Sequence, residues 1–385
     1  LDGWKLDGTA TFFTSRIGPV PVPYQTTHAG WMTMRGYMDH YYRDEYRHGL
    51  TQNPEFITLA RALDSRIPVH IEGHAPFDAA PVTWVGDNKH NFSHDDAGLE
   101  AAIDYILRSA DMGYCVIGSD VGGYHGPTPI PADVYIRWAQ FSAFCGLFLN
   151  GGHGERRLWL RSPQELEIVR TCAWLHTELV PYMYSHVVAC HEGGPTLMRP
   201  LDEGDYHYLF GEDFLVAPIY SENAERTVHL PEGRWRWFHD DGQVIEGPTT
   251  VTRAFAMDEF PVYIRDGAVI PMRISRTYTG IGARDWDGFL TWNIYPQGTN
   301  AFTLHHENGS GTTTATVAEG DPLSITLEGV QTPHILRVFA PKKPARVTLD
   351  GQGLAERSDW HYDAEGQRLI VRTETYDRGR YAVHW

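Results

Sequence analysis

What most constrains this 385-residue chain is a change of rhythm near residue 195. Before it, short β-like runs alternate with helical ones. Residues 3–7, 68–71, 114–117 and 144–149 are strand-like. Asn53-Pro54-Glu55 reads as a helix start, with Phe56, Leu59, Ala60 and Leu63 following on one face. Residues 98–112 form an amphipathic helical pattern stopped by Gly113, and 163–180 form another. This alternation predicts parallel strands with helices outside. Beyond residue 195 the helical period disappears, and Gly, Pro and Thr punctuate β-rich runs such as 214–218, 234–238, 260–264, 335–339 and 369–372. Two antiparallel β-sandwich-like domains follow from that pattern, divided near 273–277. The expected class is therefore α/β plus all-β.

Composition narrows the partners. The chain carries 32 Lys and Arg against 49 Asp and Glu, a net charge of −17, and shows no basic run. Neither nucleic acid nor an anionic membrane suits such a surface, whereas a neutral small molecule does. No apolar run approaches the length needed to span a bilayer. Four scattered cysteines without a CxxC pair predict free thiols rather than a disulfide scaffold or a zinc ribbon.

In α/β folds of this kind the loops beyond the strand C-termini carry the chemistry. Asp7, Asp87 and Asp120 all fall at or just beyond such ends. Asp7 follows Trp4 and Lys5, and Asp87 follows Trp84. Two carboxylates beside aromatic rings suit sugar chemistry: a ring covers the apolar face of a pyranose, one carboxylate attacks the anomeric carbon and the other shuttles a proton. The pairs His70/His74 and His90/His94 have a spacing that brings two ligands together only on a helix. His70 sits in a strand-like run and His90 in a loop, so no metal is expected. Trp235 and Trp237 alternate along a strand and read as packing residues.

These residues resemble glycoside hydrolase family 31. Thr83-Trp84-Val85-Gly86-Asp87-Asn88-Lys89 is similar to its Trp-x-Gly-Asp-Asn element, and the run from Gly118 to Gly126 to its Gly-x-Asp-x-x-Gly-Phe element. Residues 137–144 resemble a helix start of the family, and 194–201, 210–218 and 260–272 its first β-domain. The resemblance implies a (β/α)8 TIM barrel acting on α-glycosides with retention. This chain would supply barrel strands four to eight over 1–193, a proximal β-sandwich domain over 194–274 and a distal one over 275–385. It also implies that Asp7 is the nucleophile, Asp87 the acid/base and Asp120 a hydroxyl-binding carboxylate, with Trp4, Lys5 and Trp84 beside them. The sugar-binding histidine of the family falls on His153 or Asn150.

Two departures bear on specificity. The nucleophile strand continues Gly8-Thr9-Ala10 rather than to an acidic residue, and Glu72 and His74 stand where many members carry an arginine. An acceptor in place of a donor changes how hydroxyls are held, so an α-galactoside is as credible a substrate as an α-glucoside. Strands one to three are expected from a preceding part of the same protein. No cofactor is implied, because carboxylates and water suffice. The oligomeric state and the compartment are left open. The alternatives are a catalytically silent carbohydrate-binding protein and an α-transglycosylase, in which a sugar replaces water.

Overall fold

The computed structural model describes residues 1–7, 15–17, 20–22, 24–62 and 75–385. They divide into two compact units, one of residues 1–160 with 198–200 and 220–222, the other of 161–197, 201–219 and 223–385. Among the described residues, no helix is long and apolar enough to cross a membrane.

The first unit is organised by five parallel strands that are neighbours in chain order: β1 (Gly3–Leu6), β2 (Ile57–Arg61), β3 (Val82–Trp84), β4 (Ile117–Asp120) and β5 (Leu147–Leu149). Between them run α1 (Met34–Gln52), α2 (Leu99–Asp111) and α3 (Ala132–Ser142). Helix α1 starts at Thr33, whose hydroxyl accepts the Gly36 N–H at 3.0 Å. Helix α2 buries Leu99, Ile103, Ile106, Leu107 and Ala110 along one stripe, each worth about 1–3 kcal/mol of transfer free energy for the larger side chains. Gly113 ends it in the left-handed region at φ +107°.

Two sequence expectations change here. The stretch after Asn53 is strand β2, not a helix. Asn53 closes α1 instead, its N–H bonding Gly49 O at 2.9 Å, and its side-chain oxygen accepts the Glu55 N–H. Ile57–Arg61 then pairs in parallel with β1, Gly3 opposite Ile57 through Leu6 opposite Ala60, and with β3 on its other side. A strand of only five residues leaves its apolar side chains free to match a helical period by chance. The expected strand over 114–117 lies three residues later and runs through Gly118, Ser119 and Asp120. Gly118 makes this possible, since a Cβ there would sit 2.2 Å from Leu147 O of the adjacent strand. The expected strand over 68–71 lies outside the described residues.

In the second unit, α4 (Pro163–Glu178) opens with a capping box between Ser162 and Glu165 and leads into α5 (Val180–His191). Both helices lie against the β-rich part. Tyr182 stacks on Phe302 with centroids 5.4 Å apart, and Ser185 Oγ accepts the His305 N–H at 3.0 Å. Glu178 is fully buried and its carboxylate accepts the Thr279 hydroxyl at 2.7 Å. An antiparallel sheet contains the long hairpin of Glu225–Trp237 and Asp240–Ala254. Trp235 is fully buried there among Leu215, Val228, Leu230 and Tyr263, a packing role.

The strands from Val269 onward form two sheets that share one core. Trp292, Leu336, Val338, Leu369 and Val371 come from one sheet; Leu304, Val317, Ile325, Tyr381 and Val383 come from the other. The second set alternates along its strands with more exposed residues, whereas the strands of the first are buried almost throughout, and the two sheets face each other as a β-sandwich. One pair, Leu290–Ile294 with His334–Phe339, is parallel rather than antiparallel.

Candidate active site

The C-terminal ends of β1 to β4 bring the candidate residues together. Side chains alternate along a strand, so Lys5 and Asp7 project to one side of β1 and Trp4 and Leu6 to the other. Leu6 packs with Met38 and Tyr42 of α1, and Trp4 meets Phe56 edge-on at 5.3 Å. Trp4 is therefore not brought together with the other candidates. Lys5 turns the opposite way, its Nζ 4.0 Å from the centre of the Trp84 ring. Trp84 itself is fully buried at the end of β3, opposite Arg61 in the register.

Arg61, the last residue of β2, is a residue that sequence reasoning missed. Its Nε donates to Asp7 Oδ1 at 2.7 Å and its Nη2 to Asp87 Oδ1 at 3.2 Å. Its guanidinium also lies 5.1 Å from the Trp84 ring centre. Arg61 is buried while the two carboxylate side chains keep some solvent exposure, 44% for Asp7 and 23% for Asp87. One planar cation thus fixes both carboxylates from two strands, a geometry that a lysine point charge does not reproduce. The signal for Arg61 would have been its place at a strand end, hidden by the helical reading of 56–63.

Asp120 ends β4 and is 1% exposed, and both of its carboxylate oxygens are buried with no hydrogen-bond partner among the described residues. Burial pushes its pKa up from 3.8 to about 6, against the opposing pull of Lys5, Arg156 and Arg61; Asp87 adds to the rise. Two unspent acceptors beside cationic groups are suited to receive hydroxyl hydrogens from a bound molecule. The folded-state pKa is raised, so the stabilisation is fully present below about pH 3.8 and is lost as pH rises through about 6. Asp120→Asn removes that loss. The variant should gain about 1–3 kcal/mol on the parent at pH 8 and almost nothing at pH 4. Melting temperatures at the two pH values check this, and a pH-independent difference would show that ionisation of Asp120 costs the fold nothing.

Asn150 and His153 lie on the loop after β5. Asn150 Oδ1 accepts from the Tyr135 hydroxyl at 2.9 Å and from Arg156 Nη1 at 3.3 Å, so its carbonyl is spent on the scaffold. His153 packs edge-to-face on Tyr124 at 5.1 Å, and Tyr124 in turn lies 6.0 Å from Lys5 Nζ. His153 is thus joined to the Lys5 side of the site through one ring. Arg156, also missed from sequence, ties this loop to the one after β4 by donating to His153 O, Val121 O and Gly123 O. Glu72 and His74 lie outside the described residues. Among the described residues, no group of three or more His, Cys, Asp or Glu is placed to hold a metal ion. His90 is buried, with Nδ1 on Pro127 O at 2.9 Å.

Residues 22–186 match the TIM-barrel domain of glycosyl hydrolases family 31, and residues 191–270 match the C-terminal domain of the same family, together nearly two thirds of the chain. The chain belongs to glycoside hydrolase family 31. Its class is accordingly a family 31 barrel domain, here a partial one, followed by β-sandwich-like sheets. The family 31 relatives include an isomaltosyltransferase of Sporosarcina globispora, 26% identical over 76% of this chain and 30% of the relative. An α-xylosidase of Emericella nidulans is 31% identical over 50% of this chain and 26% of the relative. This chain thus spans a third or less of the length of these relatives. The solved cycloalternan-forming enzyme from Listeria monocytogenes, in complex with a pentasaccharide substrate, superposes with a TM-score of 0.80 at 22% identity. It covers 94% of this chain and 36% of that one.

Proposed function

We propose that the protein is a retaining, exo-acting α-glycosidase that removes terminal α-linked sugars of the α-glucoside or α-galactoside type. The observation that carries this reading is the pair of part-solvated carboxylates, Asp7 and Asp87, held by the single buried guanidinium of Arg61 at the ends of neighbouring parallel strands. Family membership supports it, as do the glycoside-processing names of the relatives. In this proposal the five strands are the C-terminal arc of an eight-stranded barrel, and the activity belongs to the closed barrel, so assays use the whole protein.

The chemistry runs in two steps. Ionised Asp7 attacks the anomeric carbon from the β face, and a C–O bond to the enzyme forms as the glycosidic C–O bond breaks. The leaving oxygen takes the proton of Asp87. Asp87, now a carboxylate, accepts a proton from water as that water displaces Asp7 from the anomeric carbon. The sugar leaves with its α configuration and both carboxyls are restored. Asp120, with two unspent oxygens, receives the hydroxyls of the sugar in the first subsite. Lys5 and His153 border the same subsite.

Release of 4-nitrophenol from α-glucoside, α-galactoside, α-xyloside and α-N-acetylgalactosaminide tests this, with the anomer formed first read by proton NMR. Turnover of one glycone with an α product is the expected result. A β product overturns retention, and no turnover of any sugar by folded protein leaves a silent carbohydrate-binding protein as the better reading. The likeness to an isomaltosyltransferase favours one second reading, transfer of the glycosyl unit to a sugar acceptor in place of water. Both reactions share the first step, so product analysis with added glucose separates them.

A further inference from the structure

The second unit contains a cavity of about 470 Å³ whose lining residues all lie between 234 and 385. That volume falls in the roughly 300–1,000 Å³ range of small-molecule sites. Its floor is built and electrically settled. The carboxylate of Asp266, 1% exposed, accepts from Arg236 Nε at 2.8 Å and faces Arg234 Nη2 at 3.3 Å. The Arg236 guanidinium lies 4.1 Å from the Phe339 ring centre, so its charge is shared between a carboxylate and an aromatic face. Pro296, Leu323, Pro341 and Trp385 supply apolar wall, and the indole of Trp385 is half-buried. At the exposed rim stand Lys342 and Glu319. Glu319 uses one oxygen to accept the Gly298 N–H at 2.8 Å, which leaves acceptor capacity to spare.

This lining selects among ligand classes. An anionic ligand would meet the carboxylates of Asp266 and Glu319 as well as the cations. A hydrocarbon would strip water from Lys342 and Glu319 without replacing it. A ring with one apolar face and a border of hydroxyls satisfies the prolines and the indole on one side, and the ammonium and carboxylate on the other. We infer that this cavity is a second saccharide site, holding one or two neutral glycosyl residues apart from the catalytic carboxylates. It rests on the proposed function only for the choice of α-linked sugars.

The test is calorimetric titration of maltotriose and isomaltotriose into the whole protein carrying Asp7→Ala, which prevents consumption of the sugar. Two classes of site are expected. Lys342→Ala and Glu319→Ala, each added to that background, should weaken one class by about ten-fold, and Trp385→Ala should remove it. The two rim variants decide the matter if Trp385→Ala alters the circular dichroism. With Asp7 intact, the rim variants should leave turnover of a 4-nitrophenyl monosaccharide unchanged. Binding that neither rim variant alters overturns the cavity site even where the glycoside panel shows turnover. Binding that the rim variants weaken, with no turnover of any glycoside, retains the cavity and overturns the catalytic reading instead.

Discussion

Asp7→Ala should lower turnover by about 10⁵-fold, because on the proposed mechanism the loss of the nucleophile leaves only substrate binding and proton donation. Asp87→Ala should behave differently. With an alkyl leaving group it should lose about 10²–10⁴-fold, the usual contribution of a positioned proton donor. With 4-nitrophenol, whose oxygen departs without much help, the loss should be far smaller. Azide distinguishes the roles further. In Asp7→Ala it can enter the emptied space and attack from the β face, giving a β-glycosyl azide. In Asp87→Ala it intercepts the glycosyl-enzyme from the opposite face, giving an α-glycosyl azide. The reverse pairing of variant and anomer would exchange the two assignments, and undiminished turnover by Asp7→Ala would remove the nucleophile from Asp7 altogether.

Arg61→Ala should be the next most damaging change, with kcat/KM down by about 10²–10³. The guanidinium reaches Asp7 and Asp87 at once, so its loss removes the cation that the two carboxylates share. The stability cost should be modest, about 1 kcal/mol. Both carboxylates are part-solvated, unlike the fully buried partners whose isolation costs several kcal/mol. Arg61→Lys should recover stability but little activity, because an ammonium cannot fork to two acids. Millimolar guanidinium should partly rescue Arg61→Ala and not Arg61→Lys. A variant that merely unfolded would show no such rescue, and full activity in Arg61→Ala would mean that the carboxylates position themselves.

The sequence carried the candidate carboxylates more plainly than their setting. Asp7, Asp87 and Asp120 were legible because each lies at or just beyond a strand-like run, Asp87 and Asp120 also within motifs. Arg61 was not, because Phe56, Leu59, Ala60 and Leu63 satisfy a helical period while the chain actually pairs in parallel with β1 and β3. The five residues Ile57-Thr58-Leu59-Ala60-Arg61 are too few for a period of two to stand out against the helical one. Trp4 shows the opposite hazard. It stands one residue from Lys5, and one residue in a strand is a change of face. The β-sandwich was easier to read, since Trp292, Leu304, Val317 and Leu336 alternate along strands bounded by Gly and Pro. What no pattern announced was the company kept by α4 and α5, because a helix shows which of its faces is apolar but not what will cover it.

That company has a consequence for how such proteins can be recombined. The region alike in ancestry to family 31 barrels runs to residue 186, whereas the continuous stretch that coheres with the first unit stops at Leu160, joined only by the short returns 198–200 and 220–222. Helices α4 and α5 hold Thr279, Phe302 and His305 through Glu178, Tyr182 and Ser185. A chimera spliced at the inherited boundary would part these helices from the β-strands they grew up with and present Phe302 with a stranger's side chain. A splice just after Leu160 carries the helices along with their partners but also takes away 198–200 and 220–222, which cohere with the first unit, so the heritable seam and the physical seam of this chain do not coincide.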